Sequence, residues 1–120
     1  MNIDNLNKSL SSIINNVATA LSGSETYSDL PAGTTTVTIK FAKTFATLPT
    51  VLVSGVGTGC RYPGNSWIQN PDYLKNLSAV LVAGSVTKGG FQVKLTNNIG
   101  GGYLGRIAVT WNATAPLVSK

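Results

Sequence analysis

Two stretches of the sequence combine aromatic rings with amide, carboxylate and guanidinium groups, a mixture of side chains that suits sugar binding. An aromatic face stacks on the apolar side of a pyranose ring, while the polar groups form hydrogen bonds with its hydroxyls. The first stretch contributes Arg61, Tyr62, Asn65, Trp67, Gln69, Asp72 and Tyr73, and the second contributes Asn97, Asn98, Tyr103 and Arg106. The sequence therefore predicts a carbohydrate-binding surface formed by two loops.

These residues also have a purely structural interpretation. Trp67 and the tyrosines could pack the first loop onto a sheet or fill an interface between subunits. The glycines at positions 100 to 102 could serve only a tight hairpin, because glycine adopts positive φ without a steric penalty. The residue types alone leave both interpretations open.

The sequence offers no set of residues from which a catalytic site can be assembled. It has no histidine and only one cysteine, Cys60, so a catalytic triad or a zinc cluster has no support. A glycosidase needs two carboxyl groups at a set separation, and of the four acidic residues only Asp72 lies in a loop inside the main domain. We therefore expect a binding protein that is not an enzyme, with no metal and no cofactor. With no histidine to activate it, Cys60 is expected to be a small thiol that is buried or half-buried and has no catalytic role.

The charge pattern argues against nucleic acid as a partner. The formal net charge is +5, but the nine Lys and Arg residues are spread singly along the chain, whereas nucleic-acid footprints cluster them on one face. A diffuse positive potential is still compatible with attraction to acidic surface polysaccharides. No apolar stretch reaches the roughly 18 to 20 residues that a membrane span needs, so we expect no membrane insertion. The polar N-terminus does not resemble a secretory signal.

The first 22 residues predict a helical neck that forms a trimer. Apolar residues recur at alternating spacings of three and four, at Ile3, Leu6, Leu10, Ile13, Val17 and Ala20. This heptad pattern keeps one apolar stripe facing the partner helices of a left-handed coiled coil. The mixture of Ile and Leu at its core positions favours a coiled coil of three helices. The alternative is an amphipathic helix packed on its own domain. Three heptads are too few to distinguish the coiled-coil period of about 3.5 residues from the ordinary helical period of about 3.6. Gly23 is predicted to end the helix.

The rest of the chain, residues 24 to 120, predicts one all-β domain. Alternating or β-rich segments bounded by turn residues lie at 34–41, 50–56, 77–86, 91–96 and 103–112. Five or six short strands of this kind are typical of a sandwich or barrel. Residues 57–76 show no clear period and are predicted to form a long loop, with or without a short strand inside.

Three segments of this domain resemble the H-type lectin domain. They are IKFAKTFATLPTVLVS at 39–54, VTKGGFQVKL at 86–95 and IAVTWNA at 107–113. They match the family's opening pattern F-x-K-x-F-x-x-x-P-x-V-x-V-S, its turn into G-F-x-V, and its last strand V-x-W-x-A. The resemblance covers most of residues 35 to 114. It implies a six-stranded antiparallel β-sandwich that assembles as a homotrimer and binds sugar near the subunit borders.

The resemblance also implies a place for the protein. Domains that look like this form the tips of bacteriophage tail fibres and related receptor-binding proteins, often behind a short coiled-coil neck. The implied function is a trimeric virion head that recognises a carbohydrate on the host cell surface. The shared residues Phe41, Phe45, Phe91 and Trp111 are expected in the core. The sugar-binding loop residues of the animal lectins have no match here, so the N-acetylgalactosamine specificity does not carry over.

Two other functions fit the same sequence. One is a structural module of a fibre or baseplate, in which the two loops make protein contacts and no sugar binds. The other is an adhesin domain that recognises a protein. Trimerisation has a clear use in the lectin-like hypothesis, because avidity multiplies several weak contacts.

Overall fold

A computed structural model describes residues 19 to 115, which form six strands and one short helix. The elements are β1 (Thr19–Leu30), β2 (Gly33–Lys40), β3 (Thr50–Arg61), α1 (Pro71–Leu74), β4 (Leu77–Leu81), β5 (Gly90–Asn97) and β6 (Leu104–Ala115). One three-stranded sheet has the order β1-β6-β3 and the other has the order β2-β5-β4, with every pairing antiparallel. The predicted all-β class and the predicted six strands are confirmed.

The core is built from alternate residues of the central strands. In β5 the side chains of Phe91, Val93 and Leu95 are buried, and in β6 those of Ile107 and Val109 are buried. Successive side chains of a strand point to opposite faces, so this alternation turns one face of each sheet towards the shared apolar cluster. Each such side chain contributes roughly 1.5–3 kcal/mol when fully buried. The period-2 pattern therefore predicted the core face of these strands correctly.

The aromatic residues expected in the core pack around Phe41. The ring centroid of Phe41 lies 5.0 Å from that of Phe45, 5.6 Å from that of Phe91 and 5.5 Å from that of Trp111. Phe45 and Phe91 are fully buried, while Phe41 and Trp111 are partly buried against the same cluster. All three segments that carry the lectin resemblance therefore contribute to one aromatic cluster.

Strand β1 begins where the sequence predicted the end of a helix. Ala20 pairs with Thr114 and Leu21 pairs with Ala113, so residues 19 to 22 are already part of the sheet. Gly23 does not end a helix but lies within β1. These residues are extended because β6 offers a complete row of backbone partners, which outweighs their weak helical pattern.

The predicted neck lies almost entirely outside the described residues. The five trimerisation positions fall before residue 19: Ile3, Leu6, Leu10, Ile13 and Val17. The coiled coil and the trimer stay predictions.

The long loop predicted at 57–76 is shorter and more ordered than expected. Strand β3 continues to Arg61, with an irregularity in its pairing to β6 between Gly57 and Gly59. The following loop returns to the sheet through two backbone hydrogen bonds between Cys60 and Ile68, of 3.0 and 2.8 Å. Helix α1 then begins at Pro71, a residue whose fixed φ suits the first position of a helix.

Candidate functional site

The pairing of β3 with β6 brings the two predicted loops to the same end of one sheet. Arg61, the last residue of β3, lies opposite Leu104, the first residue of β6. Tyr62 and Tyr103 are the next residues beyond these two ends. Antiparallel register fixes which residues are neighbours. The end of β3 and the start of β6 therefore place the two loops side by side.

Three tyrosines of the two loops form one cluster. The rings of Tyr62 and Tyr103 are stacked, with centroids 4.2 Å apart and an angle of 25° between the planes. The ring of Tyr73, from α1, lies 5.1 Å from that of Tyr103. Tyr62 is 44% exposed, so the cluster presents an aromatic surface to solvent. Hydrogen bonding with Tyr62 is the main cause that raises the pKa of Tyr103 to about 12.

Two arginines lie over the ring of Trp67. The Cζ atoms of Arg61 and Arg106 are each 4.6 Å from the ring centroid, within the distance at which a guanidinium is attracted to an aromatic face. Gly59 makes this packing possible. A Cβ at that position would lie 2.9 Å from Nη2 of Arg106 and 3.2 Å from Cε3 of Trp67, so any larger residue would displace the two side chains.

Hydrogen bonds hold both guanidinium groups in place. Arg61 donates from Nε and Nη2 to Oδ1 of Asp29, at 3.0 and 2.7 Å, and from Nη1 to the backbone oxygen of Asn65 at 3.2 Å. Arg106 donates from Nε to Oγ1 of Thr58 at 3.0 Å and from Nη2 to the backbone oxygen of Thr58 at 3.1 Å. The arginines and Trp67 are therefore a preorganised group.

Asp29 and Thr58 are the site residues that sequence analysis missed. Asp29 lies where the pairing of β1 with β6 is irregular, and its backbone has φ of 56°. Aspartate is among the few residues other than glycine that tolerate this conformation. Thr58 lies at the irregularity of β3. The alternating pattern of a strand conceals such positions, so the sequence held no clear signal for either residue.

Asn97 was predicted to bind ligand, but it is a structural residue. Its side chain is buried, with 2% exposure. Nδ2 donates to the backbone oxygens of Leu30 and Tyr103, both at 2.9 Å, and Oδ1 accepts from the backbone nitrogen of Ile99 at 3.0 Å. These bonds satisfy a buried amide and fix the turn before β6. Asn97 therefore anchors the backbone of Tyr103, and its side chain is enclosed in the fold.

The remaining predicted residues are exposed around these two groups. Asn65 lies beside Arg61, and Asp72 lies in α1 next to Tyr73. The backbone nitrogen of Asn98 donates to the oxygen of Asn76 at 3.0 Å, while its side chain is exposed, as is that of Gln69. Of the predicted set, the structure thus brings together Tyr62, Tyr73 and Tyr103 in one group. It brings together Arg61, Trp67 and Arg106 in a second group.

Cys60, the residue before Arg61 in β3, is buried and free. Burial raises the pKa of its thiol, because the charged thiolate is poorly solvated there. Among residues 19 to 115, no three His, Cys, Asp or Glu residues are close enough to hold a metal ion together. The same part of the chain contains no helix that is long and apolar enough to cross a membrane.

A separate exposed surface is apolar. Leu52 and Val56, on the outward face of the edge strand β3, are 68% and 60% exposed, and Leu48, just before β3, is also exposed. An edge strand with apolar side chains is a surface that proteins commonly cover with another chain.

The fold is similar to that of two solved structures, a pyocin tail fiber and a phage tailspike. The structure of an N-truncated R1-type pyocin tail fiber has 16% identity and a TM-score of 0.57, covering 91% of this chain and 94% of that one. The crystal structure of the Pseudomonas phage phi297 tailspike gp61 has 16% identity and a TM-score of 0.50. That match covers 81% of this chain but only 15% of the tailspike, so the chain corresponds to a small part of that protein.

Comparisons with protein families and with curated proteins found no match. At 16% identity the structural likeness concerns the fold alone. This chain therefore shares its fold with part of a phage tailspike and with a pyocin tail fiber, and membership of the H-type lectin family is not shown.

Proposed function

We propose that this chain is a receptor-binding head of a phage-type tail fibre, which binds a carbohydrate on the surface of a bacterial cell and catalyses no reaction. The two sheets would be the β-sandwich of the lectin resemblance, and residues 1 to 18 would join three heads through a coiled coil. The protein would then act outside the cell, as part of a particle. The fold shared with a tailspike and a pyocin tail fiber supports this place for the chain.

One observation carries the proposal: residues far apart in sequence form two ordered groups at one end of the β1-β6-β3 sheet, a tyrosine cluster and a pair of guanidinium groups on Trp67. The tyrosine cluster supplies a ring face that is exposed, and Trp67 holds two guanidinium groups at 4.6 Å. Sugar sites need an aromatic face, a few polar groups in fixed positions and little reorganisation on binding. A single such site is shallow and weak, so three copies on one particle would raise the overall affinity through avidity.

The test is binding of the labelled protein to an array of bacterial surface polysaccharides and to cells. We expect saturable binding to a related subset of glycans. The variant Trp67→Ala should lose most of this binding because both guanidinium groups lose the ring that holds them, while the molar mass stays unchanged. Leu52→Ala is the control, since it removes an exposed apolar side chain from β3, outside the loop that carries Trp67.

A structural role is the second candidate, and the exposed side chains of Leu52 and Val56 favour it. In that case the apolar edge of β3 would contact a neighbouring chain of the fibre, and no sugar would bind. The same two variants separate the candidates. If Leu52→Ala fails to assemble and the wild-type protein binds no glycan on the array, the structural role is favoured.

A further inference from the structure

We infer that the surface formed by Arg61, Trp67 and Arg106 selects acidic polysaccharides, through a carboxylate or phosphate group bound by Arg106. This inference rests on the proposed function and names the substrate class of the same site. It starts from the hydrogen-bonding capacity that the two arginines leave unused.

The two arginines differ in how far their donors are occupied. A guanidinium has five N–H donors. Arg61 uses three of them on Asp29 and Asn65, and its charge is matched by the Asp29 carboxylate. Arg106 uses two, both on Thr58, which carries no charge. Its Nη1 group, with two donors, has no partner among residues 19 to 115.

The local charge is also unbalanced. Two guanidinium groups lie over one indole ring, and within the described part of the chain only Arg61 has a carboxylate within 4.0 Å. The surplus positive charge is held in place by the ring and by Thr58, so an anion can bind it without first ordering a long side chain. A planar guanidinium suits carboxylate and phosphate because it can donate two parallel hydrogen bonds.

The net positive charge of the described residues also favours binding of an acidic polymer. Among residues 19 to 115 there are seven Lys and Arg residues, which is nine less Lys8 and Lys120, against three acidic residues, which is four less Asp4. A positive potential of this kind attracts any polyanion. The inference is narrower, because it assigns the recognition to Arg106 and not to the sum of the charges.

The experiment uses the full chain and a matched pair of probes, polygalacturonate and its methyl ester, whose backbones are identical and whose carboxylates are present or blocked. Poly(glycerol phosphate) tests phosphate as the anion, and dextran and mannan serve as neutral polysaccharides. We expect at least about tenfold tighter binding to an acidic probe than to the neutral ones, and weaker binding at higher salt. Binding to polygalacturonate alone would identify carboxylate as the group bound, and binding to poly(glycerol phosphate) alone would identify phosphate.

The variants distinguish a site from diffuse charge. Arg106→Gln should weaken binding to the acidic probe by about tenfold or more, and Arg106→Lys should also weaken it because the fork geometry is lost. Lys94→Gln removes the same charge from an exposed position in β5, on the other sheet, and should change binding by less than about twofold. Circular dichroism and molar mass check that each variant is folded and assembled, and the ester comparison needs no variant at all.

Three results would overturn the inference. Equal losses in Arg106→Gln and Lys94→Gln would assign the binding to overall charge. Equally tight binding of the ester, dextran or mannan, unaffected by Arg106→Gln, would leave a carbohydrate-binding head and remove only its acidic specificity. No binding to any polysaccharide, acidic or neutral, would contradict the proposed function as well.

Discussion

Gly23 of β1 lies directly against the indole of Trp111 in β6. A Cβ at residue 23 would be 2.7 Å from two carbons of that ring and 2.8 Å from its nitrogen, closer than side chains approach in folded proteins. Glycine is usually a weak residue in a strand, but here its lack of a side chain allows Trp111 to pack into the aromatic cluster.

The first prediction concerns this contact. Gly23→Ala should lower the free energy of unfolding by about 1–3 kcal/mol, the usual effect of overpacking, although alanine normally favours order more than glycine does. Urea denaturation measures the change. Gly89→Ala is the control, because a Cβ there would meet nothing within 4 Å. Equal stabilities of the two variants would contradict the prediction.

The second prediction concerns Asn97. Asn97→Ala removes three hydrogen bonds and leaves the backbone oxygens of Leu30 and Tyr103 without their amide partner. We expect a loss of about 2–3 kcal/mol in stability, since an unsatisfied buried polar group costs about 1–3 kcal/mol. Asn98→Ala, at the exposed neighbouring position, should change stability by less than about 0.5 kcal/mol. A small effect at residue 97 would mean that the turn before β6 is held by other contacts.

The third prediction concerns the ion pair between Arg61 and Asp29. Asp29→Asn should lower stability by less than about 1 kcal/mol, because both side chains are partly exposed to solvent. The same change removes a negative charge from the site and weakens the two hydrogen bonds from Arg61, because a neutral amide oxygen replaces the carboxylate oxygen that accepts them. Binding of an acidic polysaccharide should therefore become tighter, whereas Asp72→Asn, in α1, should change it little. Weaker binding in Asp29→Asn would indicate that the ion pair is needed to hold Arg61 in its binding position.

The fourth prediction concerns the thiol of Cys60. Burial raises its pKa, so the folded state keeps the thiol neutral at a pH where the unfolded chain ionises it. This contribution to stability is complete below the pKa of the unfolded thiol, about 8.5, and is lost progressively as the pH rises above that value. Between about pH 8.5 and 10, wild-type stability should therefore fall more than that of Cys60→Ala. Rapid reaction of the native thiol with a disulfide reagent would contradict its burial.

The fifth prediction concerns the predicted neck. Deletion of residues 1 to 18 leaves β1 intact, because that strand begins at Thr19. We expect light scattering to give the mass of a trimer for the full chain and a smaller mass for the truncated one. Cell binding should weaken with the loss of avidity. An unchanged molar mass would mean that the heptad pattern does not drive assembly.

The sequence by itself determined the class of the fold and most of its strands. Apolar residues at every second position of β5 and β6, such as Val93 and Ile107, can be buried together only in an extended chain, and no other part of the sequence is needed to infer this. It also identified which aromatic residues would fill the core. The polar composition of the two loops was sufficient to select six of the residues that meet at one end of the sheet.

Only the tertiary structure decided how those residues are used. Asn97 and Asn98 are identical in type and adjacent in sequence, yet one is a buried bridge and the other is exposed, because the turn points them in opposite directions. Asp29 reaches Arg61 because β1 and β3 both pair with β6, and this shared pairing brings the ends of the two strands to the same end of the sheet. Strand β1 itself is polar and forms through pairing with β6. Such pairings join residues far apart in the chain, and local sequence patterns carry no information about them.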